Sequence, residues 1–206
     1  MDANSIIFRL IVLIISAVIH EVSHGAMANR LGDPTAKTMG RLSLNPMKHL
    51  DPVGSFFVPL LLWITTNGSF VFGWAKPVPI NLYNVRDQKY GEAKIALAGP
   101  ASNLILATIF GVTLRYLPQT SIQLISLANF FSIVVLINIV LAVFNLLPIP
   151  PLDGSRILGA FIPLKYLKWQ RQLEQNRIIV LIVVVLLAPY IILPLVSFIY
   201  RLLVGM

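Results

Sequence analysis

The sequence predicts an all-α polytopic membrane protein with about four transmembrane helices and a re-entrant hairpin or short membrane-associated strands after the first. Three observations lead there. Of 206 residues, 57% are hydrophobic and only 12% are charged, a balance that excludes an ordinary water-soluble globule. Several apolar runs approach or exceed the roughly 20 residues that a helix needs to cross the hydrocarbon core, and the mean hydropathy is +0.82. Sixteen Lys and Arg against eight Asp and Glu give a net charge of +8, yet the basic residues fall in loops between the apolar runs. That placement speaks for membrane topology and contact with a lipid bilayer carrying anionic headgroups, and against nucleic acid as a partner. With no cysteine, disulfides, thiolate metal sites and cysteine nucleophiles are excluded, so any metal is held by nitrogen and oxygen.

The first apolar run extends from about Ser5 to Ala28. It reads as a span rather than a signal peptide, because it lacks a basic leading segment and a small-residue cleavage site and carries His20, Glu21 and His24. Residues 29 to 52 are polar and punctuated by Gly32-Asp33-Pro34, Gly40-Arg41 and Asn45-Pro46, which predicts a loop. The next apolar stretch, 53 to 75, is interrupted by Thr65-Thr66-Asn67-Gly68. Asn-Gly favours a tight turn and the apolar part before it is too short to cross, so this stretch is expected to be a re-entrant hairpin. Residues 76 to 94 form another loop, with Pro77 and Pro79 barring helix at its start. Further spans are expected at about 93–117, 124–147 and 178–203, the last kinked or split at Pro189 and Pro194. Between the last two, residues 148 to 177 open with Pro-Ile-Pro-Pro-Leu-Asp-Gly and then become basic. The whole of 1–206 reads as a single membrane domain with its core at about 5–160, without repeats or an appended soluble unit.

His20-Glu21-Val22-Ser23-His24 is an H-E-x-x-H motif on a predicted helix. Histidines at i and i+4 share one face, where both can bind one Zn2+ at about 2.0–2.1 Å, and the glutamate between them suits general-base work. In lipid these side chains are costly, at least about 2.5 kcal/mol for an ionisable group at the bilayer centre, so three within five residues call for a shared reason such as a metal. A catalytic zinc takes three protein ligands and leaves one position open. His49 and Asp153 are the candidates for the third. Asp153 also suits the N-cap of a helix starting at Ser155, and the residues around it do not choose between the two roles. His49 reads as a proton-handling neighbour or an interfacial loop histidine rather than a direct ligand. Asn103, Asn138 and Asn145 each suit ordinary interhelical hydrogen bonding, and Asn138 is assigned that role alone.

Three motifs together resemble the site-2 protease family of intramembrane zinc metalloproteases. They are His20-Glu21-Val22-Ser23-His24, then Gly99-Pro100-Ala101-Ser102-Asn103, then Asn145 through Gly154, matching the family's H-E-x-x-H, G-x-x-x-N/S/G and N-x-x-P-x-P-x-x-D-G elements in order. The segments Asn45–Gly54 and Gly73–Asn81 resemble the compact bacterial and archaeal branch without PDZ or CBS domains. The resemblance implies one Zn2+ per chain held by His20, His24 and Asp153, with Glu21 as catalytic base. It implies support of the substrate or transition state by Asn145, Asn103 and Gly99. It further implies a transmembrane protein substrate, hydrolysed within or beside the bilayer. A substrate helix must unwind to present its amide, and segments between residues 54 and 81 are expected to offer an edge for strand pairing.

Two rivals belong to other classes: a membrane metal-binding or transport protein, and a catalytically silent relative that only binds membrane proteins. A transporter needs a polar path through the bilayer, whereas the ionisable residues cluster near one end of the spans, and a pure binder has no need of Glu21. With a hairpin at 53–75, thirteen of the sixteen basic residues fall on the face of the H-E-x-x-H end and three, Arg9, Arg115 and Arg201, on the other. The positive-inside rule then places both termini outside and the site nearer the cytoplasmic face of a prokaryotic cell membrane.

Overall fold

A computed structural model describes residues 3–51, 54, 57, 61, 64, 76–118, 120–162, 172–173 and 175–205. The expected hairpin at 53–75, with its Asn67-Gly68 turn, lies outside the described residues but for those isolated positions. Among the described residues the chain is helical, with no strand. The elements are α1 (Ala3–Arg30), α2 (Thr35–Thr38), α3 (Gly91–Arg115), α4 (Ile122–Asn145), α5 (Asp153–Gly159) and α6 (Arg177–Val204), with single 3-10 turns at Pro46–Lys48 and Leu82–Asn84.

Helix α1 is rich in Ile, Leu, Val and Ala, and its 28 residues reach about 42 Å at 1.5 Å per residue, more than a hydrocarbon core. Ile6, Ile7, Leu10, Ile11, Leu13, Ile14 and Ile15 are exposed along its first half, a surface suited to lipid. Gly32 stops the helix with φ +111°, a left-handed conformation that a side chain would strain. Helix α3 starts after Asp87, whose carboxylate accepts the Lys89 and Tyr90 amides, and α4 starts at the N-cap Ser121, whose hydroxyl accepts the Leu124 amide. The stretches from Ile6 to Arg30, Gly91 to Arg115 and Ile122 to Asn145 are long and apolar enough to cross a membrane. The protein is an integral membrane protein.

Helix α6 runs unbroken from Arg177 to Val204 and ends on Gly205 at φ +82°. Of the kink or split expected at Pro189 and Pro194, the split is absent. Within a membrane bundle, neighbouring helices and local adjustment satisfy the carbonyls that proline leaves free.

Helix α3 is the centre of the bundle and packs against α1, α4, α5 and α6. Contacts of His24 with Ile95 and of His20 with Asn103 show α1 and α3 running antiparallel. Asn103 meets Asn138 and Phe110 meets Phe131, so α3 and α4 are antiparallel as well, and Ser132 meets Tyr200 between α4 and α6. The end of α1 and the start of α3 thus share one face. Arg86 N donates to Leu31 O at 2.9 Å, and Lys76 N donates to His49 O at 2.8 Å, so the described residues on either side of 52–75 meet there. One apolar cluster, with Ala107, Leu114, Ala128, Val135, Ile139, Val196 and Val204, fills the bundle between α3, α4 and α6.

Candidate metal centre

The H-E-x-x-H residues occupy the last third of α1, facing α3. His20 Nδ1 lies 2.6 Å from Asn103 Oδ1, and His24 Nδ1 lies 2.7 Å from the Ile95 carbonyl. The amide orientation of Asn103 is set by its surroundings: its Nδ2 donates to Asn138 Oδ1 at 2.9 Å and to Ser16 O at 3.4 Å. Asn138 Nδ2 in turn donates to Val134 O and to Ser16 Oγ, both at 2.9 Å. With oxygen facing each Nδ1, both imidazoles carry the proton there and turn the Nε2 lone pair to the same point.

Asp153 arrives from the other side. After α4 the chain turns through Pro148-Ile149-Pro150-Pro151, with Ile149 N on Leu147 O at 2.8 Å and Leu152 N on Ile149 O at 3.0 Å. A Cβ on Gly154 would stand 2.2 Å from Leu146 O and 2.4 Å from Leu147 O, so only glycine lets this turn fold back on the end of α4. Helix α5 starts at Asp153 with Leu152 as N-cap and no side-chain cap bond, which removes the N-cap role considered for Asp153. Its Oδ2 instead lies 3.1 Å from His20 Nε2 and 3.2 Å from His24 Nε2.

The two Nε2 atoms are 3.0 Å apart. Two nitrogen lone pairs and a carboxylate oxygen converging in this way repel unless a cation sits between them. Ligands about 2.0–2.1 Å from a tetrahedral zinc stand about 3.3 Å from one another, close to the triangle seen here. The donor set of two imidazoles and one carboxylate suits a catalytic divalent metal. The side chains of His20 and His24 are 8% and 9% exposed and that of Asp153 is 17%.

Of the other expected site residues, Gly99 and Asn103 are at the centre. A Cβ on Gly99 would lie 2.4 Å from His24 Nε2 and 2.6 Å from His20 Nε2, so its lack of a side chain lets α3 approach the imidazoles. Glu21 is half-buried and its Oε2 accepts the Val78 amide at 2.9 Å. Asn145 Nδ2 donates to Leu141 O within α4, with no hydrogen bond to the His/Asp group among the described residues. His49 is buried elsewhere, its Nε2 donating to Ser43 O at 2.8 Å.

Ser16 and Asn138 were not expected at the site, and both are buried in the network behind His20. Ser16 sits one turn before His20 on the same face, and Asn138 is an isolated polar residue within an apolar helix; those are the signals that sequence offers. The Ile95 carbonyl and the Val78 amide are backbone groups and leave no trace in residue identity.

The profile of peptidase family M50 matches residues 116–189, which contain Asp153. The chain is 36% identical over 197 residues to YwhC of Bacillus subtilis (strain 168), a candidate zinc metalloprotease, covering 92% of this chain and 86% of the relative. It is 32% identical over 179 residues to Rip2 of Mycolicibacterium smegmatis, another candidate zinc metalloprotease, covering 85% of this chain and 65% of that one. The zinc metalloprotease MJ0392 of Methanocaldococcus jannaschii is 27% identical over 165 residues, 79% of this chain but 37% of its own length. No solved structure matches the chain.

Proposed function

The chain belongs to the site-2 protease family, peptidase family M50, and is a zinc metalloprotease; from that premise we propose that it hydrolyses peptide bonds of membrane proteins within or beside the bilayer. The observation that carries this reading is the convergence of His20 Nε2, His24 Nε2 and Asp153 Oδ2 within 3.2 Å of one another, between helices long enough to span a membrane. His20, His24 and Asp153 hold the metal in our reading. Bound there, zinc would supply Lewis acidity, lowering the pKa of a water toward about 7 and polarising the scissile carbonyl. Glu21 takes the proton of the attacking water and returns it to the leaving amine. Asn103 and Ile95 O keep the imidazoles in the ligating tautomer, and Gly99 gives them room. Asn145, in the last turn of α4, is assigned to the substrate carbonyl. An intact helix hides its amides in internal bonds, so favoured substrates carry Gly, Pro or Asn near the cut.

The closed network of Ser16, Asn103 and Asn138 counts against a metal carrier, because these groups bond to one another rather than line a path. Glu21→Gln is expected to keep about one zinc per chain and lose cleavage by a thousandfold or more, whereas Asp153→Asn loses zinc. Metal analysis and cleavage of a membrane protein in detergent check both; equal zinc in the two variants removes Asp153 from the ligands, and cleavage that survives complete chelation overturns the mechanism.

The antiparallel order of α1, α3 and α4 puts the metal group near one face. The thirteen basic residues counted on that face support a cytoplasmic orientation, and bacterial and archaeal relatives support a prokaryotic cell membrane. We read 1–206 as one domain with both termini outside. Reporter fusions after Pro118 and at the C-terminus are expected to read external and fusions at Lys89 and Lys168 cytoplasmic. The reverse pattern inverts the protein.

A further inference from the structure

Glu21 is held by a segment that is itself held from outside the helices. Lys76 N donates to His49 O at 2.8 Å, and Val78 N donates to Glu21 Oε2 at 2.9 Å. Pro77 and Pro79 have no amide hydrogen. From 76 to 79, then, both available N–H groups are committed within the chain.

Three carbonyls of this region converge on one side chain. Arg41 Nη2 donates to Lys76 O at 2.9 Å and to Pro77 O at 3.2 Å, and Nη1 donates to Lys48 O. Among the described residues Arg41 makes no carboxylate pair, and the two arms of its guanidinium fork divide these main-chain oxygens between them. Gly25 completes the seat. It lies one turn beyond Glu21, and a Cβ there would fall 2.7 Å from Leu42 Cδ2 and 2.8 Å from Val78 Cγ1. The bare helix surface lets both loops settle against α1 beside the glutamate.

We propose that Arg41 is a positioning residue for hydrolysis: it fixes the Lys76–Val78 segment so that the Val78 amide holds one oxygen of Glu21 and leaves the other to the attacking water. A carboxylate gripped at one oxygen has lost most of its freedom to rotate away from the reaction, and misplacement of about 1 Å can cost a hundredfold in rate. The inference rests on the reading of Glu21 as general base.

The test uses the full chain in detergent with a dye-labelled single-span peptide bearing Asn-Pro-Gly mid-stretch as the probe. Arg41→Gln is expected to lower kcat by 10–100-fold with KM changed less than threefold and zinc still near one per chain. Arg41→Lys, which keeps the charge but loses the fork, should recover little. Val78→Pro deletes the donor and should give a similar loss, and the double variant should lose no more than about twofold beyond either single one. Independently of cleavage, hydrogen exchange in the peptide covering 76–81 should rise at least tenfold in Arg41→Gln while peptides from α1 stay protected. Unchanged kcat, a loss that tracks zinc, additive losses, or unchanged exchange would each overturn the proposal. If wild-type protein loaded with zinc cuts no better than Glu21→Gln, it is the reading of Glu21 that fails, and the exchange measurement still decides whether Arg41 fixes the segment.

Discussion

Helices α1, α3 and α4 cross two different interiors. Near the metal group they bury Ser16, His20, His24, Asn103 and Asn138, and further along α3 and α4 they bury Ala107, Leu114, Ala128 and Val135 against α6. The apolar part coheres by close packing, since lipid is as apolar as leucine and gives helices little hydrophobic reason to associate. Its side chains need only the right volume. In the polar part each group is matched to particular partners, because a hydrogen bond lost away from water is not replaced. One buried face therefore tolerates exchange while the other fixes atoms.

Paired substitutions sharpen that contrast. Asn103→Leu removes the acceptor for His20 Nδ1 and is expected to lower zinc affinity by about 10–100-fold, with activity falling in step. Asn138→Leu reaches His20 only through Asn103, and its expected effect is smaller, about tenfold or less. Leu114→Ala leaves a void in the apolar cluster and costs about 2–3 kcal/mol of stability, with zinc affinity unchanged. Zinc competition against a chelator, alongside thermal unfolding in the same detergent, reads both quantities. If Leu114→Ala weakens zinc as much as Asn103→Leu does, the two interiors are one coupled unit and the contrast fails.

The same contrast explains what could be read from sequence. Spans are additive: apolar runs with polar gaps placed α1, α3, α4 and α6 within about two residues of their ends. The His20/His24 pair was legible because H-E-x-x-H is a combination with few uses, whereas Asp153 was joined to it only through the resemblance of the Pro-rich Asp-Gly element to a known family. Ser16 and Asn138 were not legible, since a lone polar residue in an apolar helix looks alike whether it merely joins helices or steers a ligand through another residue. Proline left two outcomes open at α6, a kink or a split, and the helix runs through without a split. Arg41 had no motif at all. Its partners are carbonyls of residues 48, 76 and 77, brought together only by the fold.

Asp33 carries the logic of the polar interior into the loops, where its effect is the smallest. It is fully buried between α1 and α2, and its Oδ1 accepts from Thr35 N at 3.1 Å, Thr35 Oγ1 at 2.5 Å and Asn84 Nδ2 at 3.0 Å. Oδ2 accepts from Asn81 N at 2.7 Å, tying this corner to the segment that reaches Glu21. Burial alone would push the carboxyl's pKa up, and it is the largest single influence, but the hydrogen bonds from Thr35, Asn81 and Asn84 together hold it below the ordinary value. A pKa lower in the folded chain than in the unfolded one adds stability that is fully present above the ordinary carboxylate range and is lost as pH falls through the folded value. Asp33→Asn replaces an acceptor by a donor, and should lower the melting temperature at neutral pH by about 2–4 °C per kcal/mol lost. As pH falls below the ordinary carboxylate range and through the lowered folded value, the gap between the two proteins should narrow. A gap that stays constant from pH 7 to pH 3 would mean that the charge of Asp33 contributes nothing and that its shape alone matters.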